Sequence, residues 1–172
     1  MCIRDRSHTM NIRKDSQDEI KSYSQAAYSW LMLITNYYKR VNELDLNLDE
    51  MMTLNTVSAH WLYKINSENE KSYNELTNMP DEEIKKYFSG SRLSILSIAN
   101  ILGQPKESTR RRVQKLIDYQ LLKKDENNGI MLGENYTKLV SEFADKTASE
   151  LYRLTNRLGK INWYQKKDED VS

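Results

Sequence analysis

The sequence predicts a mainly α-helical chain with one small β-hairpin and long helices on either side of it. Three observations carry that expectation. Glycine (5 residues) and proline (2) are scarce in 172 residues, so there is little punctuation to break long helices. Apolar residues recur at spacings of three and four over most of the chain. The one cluster of turn-forming residues, Asn127, Asn128 and Gly129, lies between two short apolar runs, as a hairpin requires.

In chain order, the opening residues 1–9, MCIRDRSHT, lack the apolar stretch of a secretory signal and resemble adapter- or tag-derived sequence, so the domain reading starts at Met10. Cys2 is the only cysteine and falls in this segment; neither a disulfide nor thiolate chemistry is expected, which fits a reducing cytoplasm. An N-terminal helical arm is expected over residues 10–66. Its first helix, residues 16–44, carries Ile20, Tyr23, Ala27, Trp30, Leu31, Ile34, Tyr37, Tyr38 and Val41 at helical spacing. Its second, opened by Asp49, carries Met52, Thr56, Ala59, Leu62 and Tyr63. A polar link over residues 66–74 follows, and Pro80, Asp81 and Glu82 begin a short helix ending near Gly90, with Leu76, Ile84, Tyr87 and Phe88 expected to pack on the unit that follows.

The most specific stretch is residues 94–132. Ser94 can cap a short apolar helix (Ile95, Leu96, Ile98, Ala99, Ile101, Leu102) that Gly103 stops. A second helix over residues 105–120 starts at once, with Gln104 at the cap, Pro105 at the first position and Glu107 complementing the dipole. So short a link makes the two helices cross steeply, as in a helix-turn-helix. Thr109, Val113, Leu116 and Ile117 form the core stripe of the second helix, leaving Lys106, Ser108, Arg110, Arg111, Gln114 and Lys115 mostly outside. Residues 105–124 hold seven basic side chains against two acids, a local +5 in a chain of net charge +1. Clustered cations of this kind are the electrostatic footprint of nucleic-acid binding. The simpler alternative is a solvated charged helix face.

These residues resemble the winged helix-turn-helix domain of bacterial transcriptional regulators. Ser94, Ile98, Ala99, Leu102, Gly103, Pro105, Lys106, Glu107, Ser108, Arg110, Arg111, Val113, Leu116, Leu121 and Leu122 meet its usual pattern over about a quarter of the chain. Thr109 stands where an aliphatic residue is common and Gln120 where a helix-ending glycine is common. The resemblance implies a winged helix-turn-helix over residues 67–135 that binds double-stranded DNA, with the helix 105–120 in the major groove. Lys106, Ser108, Arg110, Arg111, Gln114 and Lys115 would then face bases or phosphates, and Lys123, Lys124 and Asn128 of the wing would meet the flanking backbone. A docking module for another protein, built on the same fold without DNA binding, is the rival expectation.

Residues 136–164 read as a closing helix. Leu139, Phe143, Leu151, Leu154, Leu158 and Ile161 form a seam, interrupted at Thr147, that suits a homodimer or packing on its own chain. The charged tail, residues 165–172, is expected to be disordered. Enzymatic, metal and cofactor chemistry find no support. Outside the opening segment His60 is the sole histidine, and no phosphate-cradling glycine loop occurs. No apolar run approaches the roughly 20 residues of a membrane span. Tyr28, Trp30, Tyr37, His60 and Trp61 could line an effector pocket, but core packing accounts for such aromatics more simply.

Overall fold

The computed structural model describes residues 17–88 and 93–160. The opening segment, Gly90, Ile161 and the charged tail lie outside the described residues. The chain is mainly helical with one two-stranded antiparallel hairpin among the described residues: α1 (Gln17–Glu43), α2 (Leu48–Glu68), α3 (Tyr73–Thr77), α4 (Asp81–Phe88), α5 (Ile95–Leu102), α6 (Lys106–Asp118), β1 (Leu122–Lys124), β2 (Ile130–Leu132) and α7 (Tyr136–Lys160).

The described residues divide into two compact units: residues 36–88 with 93–148, and residues 17–35 with 149–160. They cut across the boundaries expected from sequence, because α2 belongs to the same core as α6. Met51, Leu54, Val57, Trp61 and Ile65 of α2 are buried together with Val113 and Leu116 of α6 and Leu122, Ile130 and Leu132 of the hairpin. The cap of α2, Asn47, lies two residues ahead of Asp49. Asn47 accepts from the Glu50 N–H at 2.9 Å while the Glu50 carboxylate accepts from the Asn47 N–H at 2.9 Å, a reciprocal cap satisfying two otherwise orphaned donors. Ser72 and Glu75 repeat the device at α3, which begins in the last two residues of the stretch expected to be a polar link. α4 packs on α2, and its buried Tyr87 lies in the core shared with Ile98 of α5 and Val113 and Leu116 of α6, with Leu76 and Ile84 packed against that core.

The α5–α6 junction follows the sequence closely. Ser94 accepts from the Ser97 N–H at 3.0 Å, and Gly103 closes α5 in the left-handed region at φ 61°, open to glycine without steric cost. Pro105 is the cap residue itself and Lys106 the first helical residue, one position later than predicted. In the hairpin, Leu122 pairs with Leu132 and Lys124 with Ile130, and the Ile130 N–H also reaches the Leu93 carbonyl at 2.9 Å. The Asp125 carboxylate accepts from the N–H groups of Asn127 (2.8 Å) and Gly129 (2.7 Å), which leaves Asn128 at the tip with φ 60°.

Within residues 36–148, the seam of α7 is used by its own chain. Tyr37 meets Phe143 edge-on with ring centroids 5.2 Å apart, the Arg40 guanidinium lies over the same ring at 5.6 Å, and Leu139 packs against the core. In the other unit Leu154 is buried, as are Ala26 and Ser29 of α1, and Arg157 donates to the Ser29 hydroxyl at 3.2 Å.

Candidate nucleic-acid interface

α6 is two-faced. Thr109, Val113 and Leu116 are at most 1% exposed. Thr109 is tolerated there because its hydroxyl donates to the Pro105 carbonyl at 3.1 Å, so no polar group is buried unpaired. The outward stripe, at i, i+4, i+7 and i+11, is Glu107, Arg111, Gln114 and Asp118, all exposed, with Arg110 and Lys106 exposed beside it.

Glu107 organises the two arginines. Its carboxylate accepts two bonds from Arg110, from Nε at 2.9 Å and Nη2 at 2.7 Å, and one from Arg111 Nε at 3.4 Å. The bonds from Arg110, aided by its charge and by Arg111, hold the Glu107 carboxyl down at about 2, so it stays ionised throughout the neutral and mildly acidic range. The same carboxylate raises the pKa of Arg110. From sequence, Glu107 is assigned to the helix dipole alone; the signal for its second role is its position three and four residues before two arginines.

The other two cations of α6 point elsewhere. Arg112 bonds Asp49 and the side-chain oxygen of Gln104, whose amide in turn donates to Asp49 at 3.2 Å. Lys115 donates to the buried Glu50 carboxylate at 3.0 Å and to the Asp45 carbonyl at 3.1 Å, and lies over the Tyr119 ring at 5.3 Å. Hydrogen bonding to Glu50 raises the Lys115 pKa. The expectation that Lys115 stands outward with Arg111 is thereby corrected: its ammonium ties α6 to the start of α2. With Arg112 and Lys115 paired to acids of α2, the residues 105–124 keep five other cations against Glu107 and Asp118, a balance of +3.

Of the remaining expected residues, Ser108 is half-buried, and Gln114 is exposed with its amide donating to Asp118 at 2.9 Å. Lys123 is half-buried, while Lys124 and Asn128 are exposed on the hairpin. The turn joining α6 to the hairpin is tightly built. Gln120 takes the left-handed conformation (φ 59°) at the position where glycine is common, and its carbonyl accepts from the Asn135 N–H at 3.0 Å. Gly133 lies so close against that turn that a Cβ on it would sit only 2.7 Å from the Gln120 carbonyl carbon.

The aromatic set considered for an effector is divided between the two units. Tyr28 and Trp30 fall in one, Tyr37, His60 and Trp61 in the other. Trp61 packs edge-on against Tyr136, ring centroids 6.4 Å apart. Among the described residues no cluster of three or more His, Cys, Asp or Glu could hold a metal ion, and no helix is long and apolar enough to cross a membrane. Comparison with protein-family profiles, curated proteins and solved structures gives no match to this chain.

Proposed function

We propose that this protein is a DNA-binding transcriptional regulator in which α5, α6 and the hairpin form a winged helix-turn-helix. The observation that carries the reading is the division of labour on α6: its inner face is closed into the core, while Lys106, Arg110 and Arg111 stand exposed on its N-terminal half. That half is the part of a recognition helix that meets base edges, whereas Asp118 makes the far end unwelcoming to phosphate. Arginine supplies a planar fork suited to guanine O6 and N7, worth about 1–3 kcal/mol of discrimination. Gln114 and Ser108 stand beside it as hydrogen-bonding groups, and Lys123, Lys124 and Asn128 would lie on the flanking backbone. Lys115 drops out of the DNA-facing set, because its ammonium is tied inward to the Glu50 carboxylate and the Asp45 carbonyl beside α2, whereas Arg110 and Arg111 are held by Glu107 on the outward face of α6 itself.

The test is anisotropy of a fluorescent DNA duplex over a salt series, comparing the natural sequence with an Arg110→Ala, Arg111→Ala variant. Affinity should fall with salt at a log-log slope of about −0.9 per phosphate neutralised, and removing two such cations should flatten the slope by about 1.8. Both side chains are exposed, at 55% and 77%, so thermal unfolding should hardly move. Absence of binding at low salt from folded protein refutes the proposal and favours protein docking, for which exposed Leu96 and Ile101 on α5 offer an apolar surface.

A further inference from the structure

A cavity of about 590 Å³ opens beneath the turn that joins α6 to the hairpin, within the size range of small-molecule sites. The end of α1, the turn itself and the start of α7 wall it. Its floor is apolar: Leu121 is buried, and Leu44, Leu139 and Phe143 are partly buried against the core. Its rim is cationic, with Arg40, Lys138 and Lys146 against the single acid Glu43. Arg40 is held in place, since its Nη2 donates to the Thr147 hydroxyl at 3.2 Å and its guanidinium lies over the Phe143 ring at 5.6 Å. Thr147 follows Lys146 directly, so these two cations share one end of the cavity. Lys138 and Lys146 are exposed, and neither is paired with an acid among the described residues.

We propose that this cavity binds a medium-chain monocarboxylate, its carboxylate between Arg40 and Lys146 and its alkyl body lying along Phe143 and Leu139 toward Leu121. Length sets the size of the ligand. From Leu139 to Thr147 the helix α7 advances about 12 Å at 1.5 Å per residue, which matches an extended acid of about eight to ten carbons. Charge selects its head. The planar fork of arginine takes a carboxylate through two parallel bonds, and the surplus of cations repels an amine. A polyanion such as a nucleotide would set its further charges against Glu43 and its polar surface against the leucines. An alcohol of the same length fills the floor but leaves both cations unused. The site stands apart from the reading of α6 and does not require it. Its wall nevertheless includes Tyr119, whose hydroxyl donates to Asp45 at 2.9 Å, and Asn135, whose Nδ2 donates to the Tyr119 carbonyl at 3.3 Å. A bound acid therefore touches the turn that fixes the end of α6.

The experiment is isothermal titration calorimetry of the full chain with sodium octanoate, 1-octanol and sodium butanoate. Octanoate should bind at one per chain. Butanoate, four methylenes shorter, should bind roughly a hundredfold more weakly. The alcohol, which forgoes the charged bonds, should bind about tenfold more weakly. Lys146→Gln changes an exposed side chain, so thermal unfolding should hardly move, while octanoate should bind about fivefold more weakly and octanol as before. Nuclear Overhauser contacts from carbon-13-labelled octanoate locate the ligand without any substitution: they should reach the Leu139 methyls and the Phe143 ring. No binding to the folded chain, equal affinity for octanoate and octanol or for octanoate and butanoate, octanoate affinity unaltered by Lys146→Gln, or contacts to Trp30 in place of Phe143 each overturns the proposal.

Discussion

Replacing Lys115 by methionine separates stability from the proposed DNA binding. The change keeps the apolar stem over Tyr119 and removes the ammonium that bonds Glu50 at 3.0 Å and the Asp45 carbonyl at 3.1 Å. Glu50 is only 6% exposed and would be left with the Asn47 N–H as its remaining described partner. Breaking a fully buried ion pair by removing one member costs roughly 3–5 kcal/mol, and losing a hydrogen bond to a charged group roughly 1.5–3. The Lys115 side chain is 36% exposed, so water can reach the vacated side of the carboxylate, and the lower figure governs: about 2 kcal/mol. For a chain of this size that corresponds to a fall of about 4–8 °C in melting temperature. Urea unfolding and duplex anisotropy on one sample decide the matter. Lys115→Met should lose stability while keeping the salt slope of DNA binding; Arg111→Met should leave the urea midpoint nearly unchanged while flattening the slope by about 0.9. Unchanged stability together with a flattened slope for Lys115→Met would refute the assignment of Lys115 to the α2–α6 joint.

Other substitutions probe the same region. Glu107→Gln removes the carboxylate that holds both arginines, and non-specific duplex affinity should rise with a slope steeper by about 0.9 for each additional phosphate neutralised, measured by anisotropy. Because the Glu107 carboxyl is depressed to about 2 from an ordinary 4.5, its pairing is fully present above pH 4.5 and is lost only as pH falls toward 2; the Glu107–arginine pairing should therefore add no pH dependence to DNA affinity between pH 7 and 5. Gly133→Ala sets a methyl against the Gln120 carbonyl and forces apart the bonds from the Gly133 N–H to the Leu121 carbonyl (2.9 Å) and from the Asn135 N–H to the Gln120 carbonyl (3.0 Å). Two such bonds and the steric overlap should cost about 3 kcal/mol in urea unfolding. Gln120→Gly relieves a left-handed residue and should stabilise by up to about 1 kcal/mol, reduced by the lost bond from Asn135 Nδ2 to Gln120 Oε1 at 3.1 Å.

Local chemistry accounts for what could be read from the chain alone. Ser94 and Gly103 fix both ends of α5 through bonds that span three or four residues, and Asn128 tolerates positive φ by its own nature, so each announces itself in a short window. The cap at Asn47 is equally local: asparagine followed three residues later by glutamate and then an apolar run is a helix start, although the adjacent acids Asp49 and Glu50 place that start two residues too late when read as dipole partners alone. Ser72 and Glu75 carry the same signature at α3, within a stretch too polar to advertise a helix of five residues. Periodicity could not resolve the cations of α6. It sorts side chains by direction around one helix, but the partners of Arg112 and Lys115 lie 63 and 65 residues away on α2, and only the tertiary packing brings them into reach.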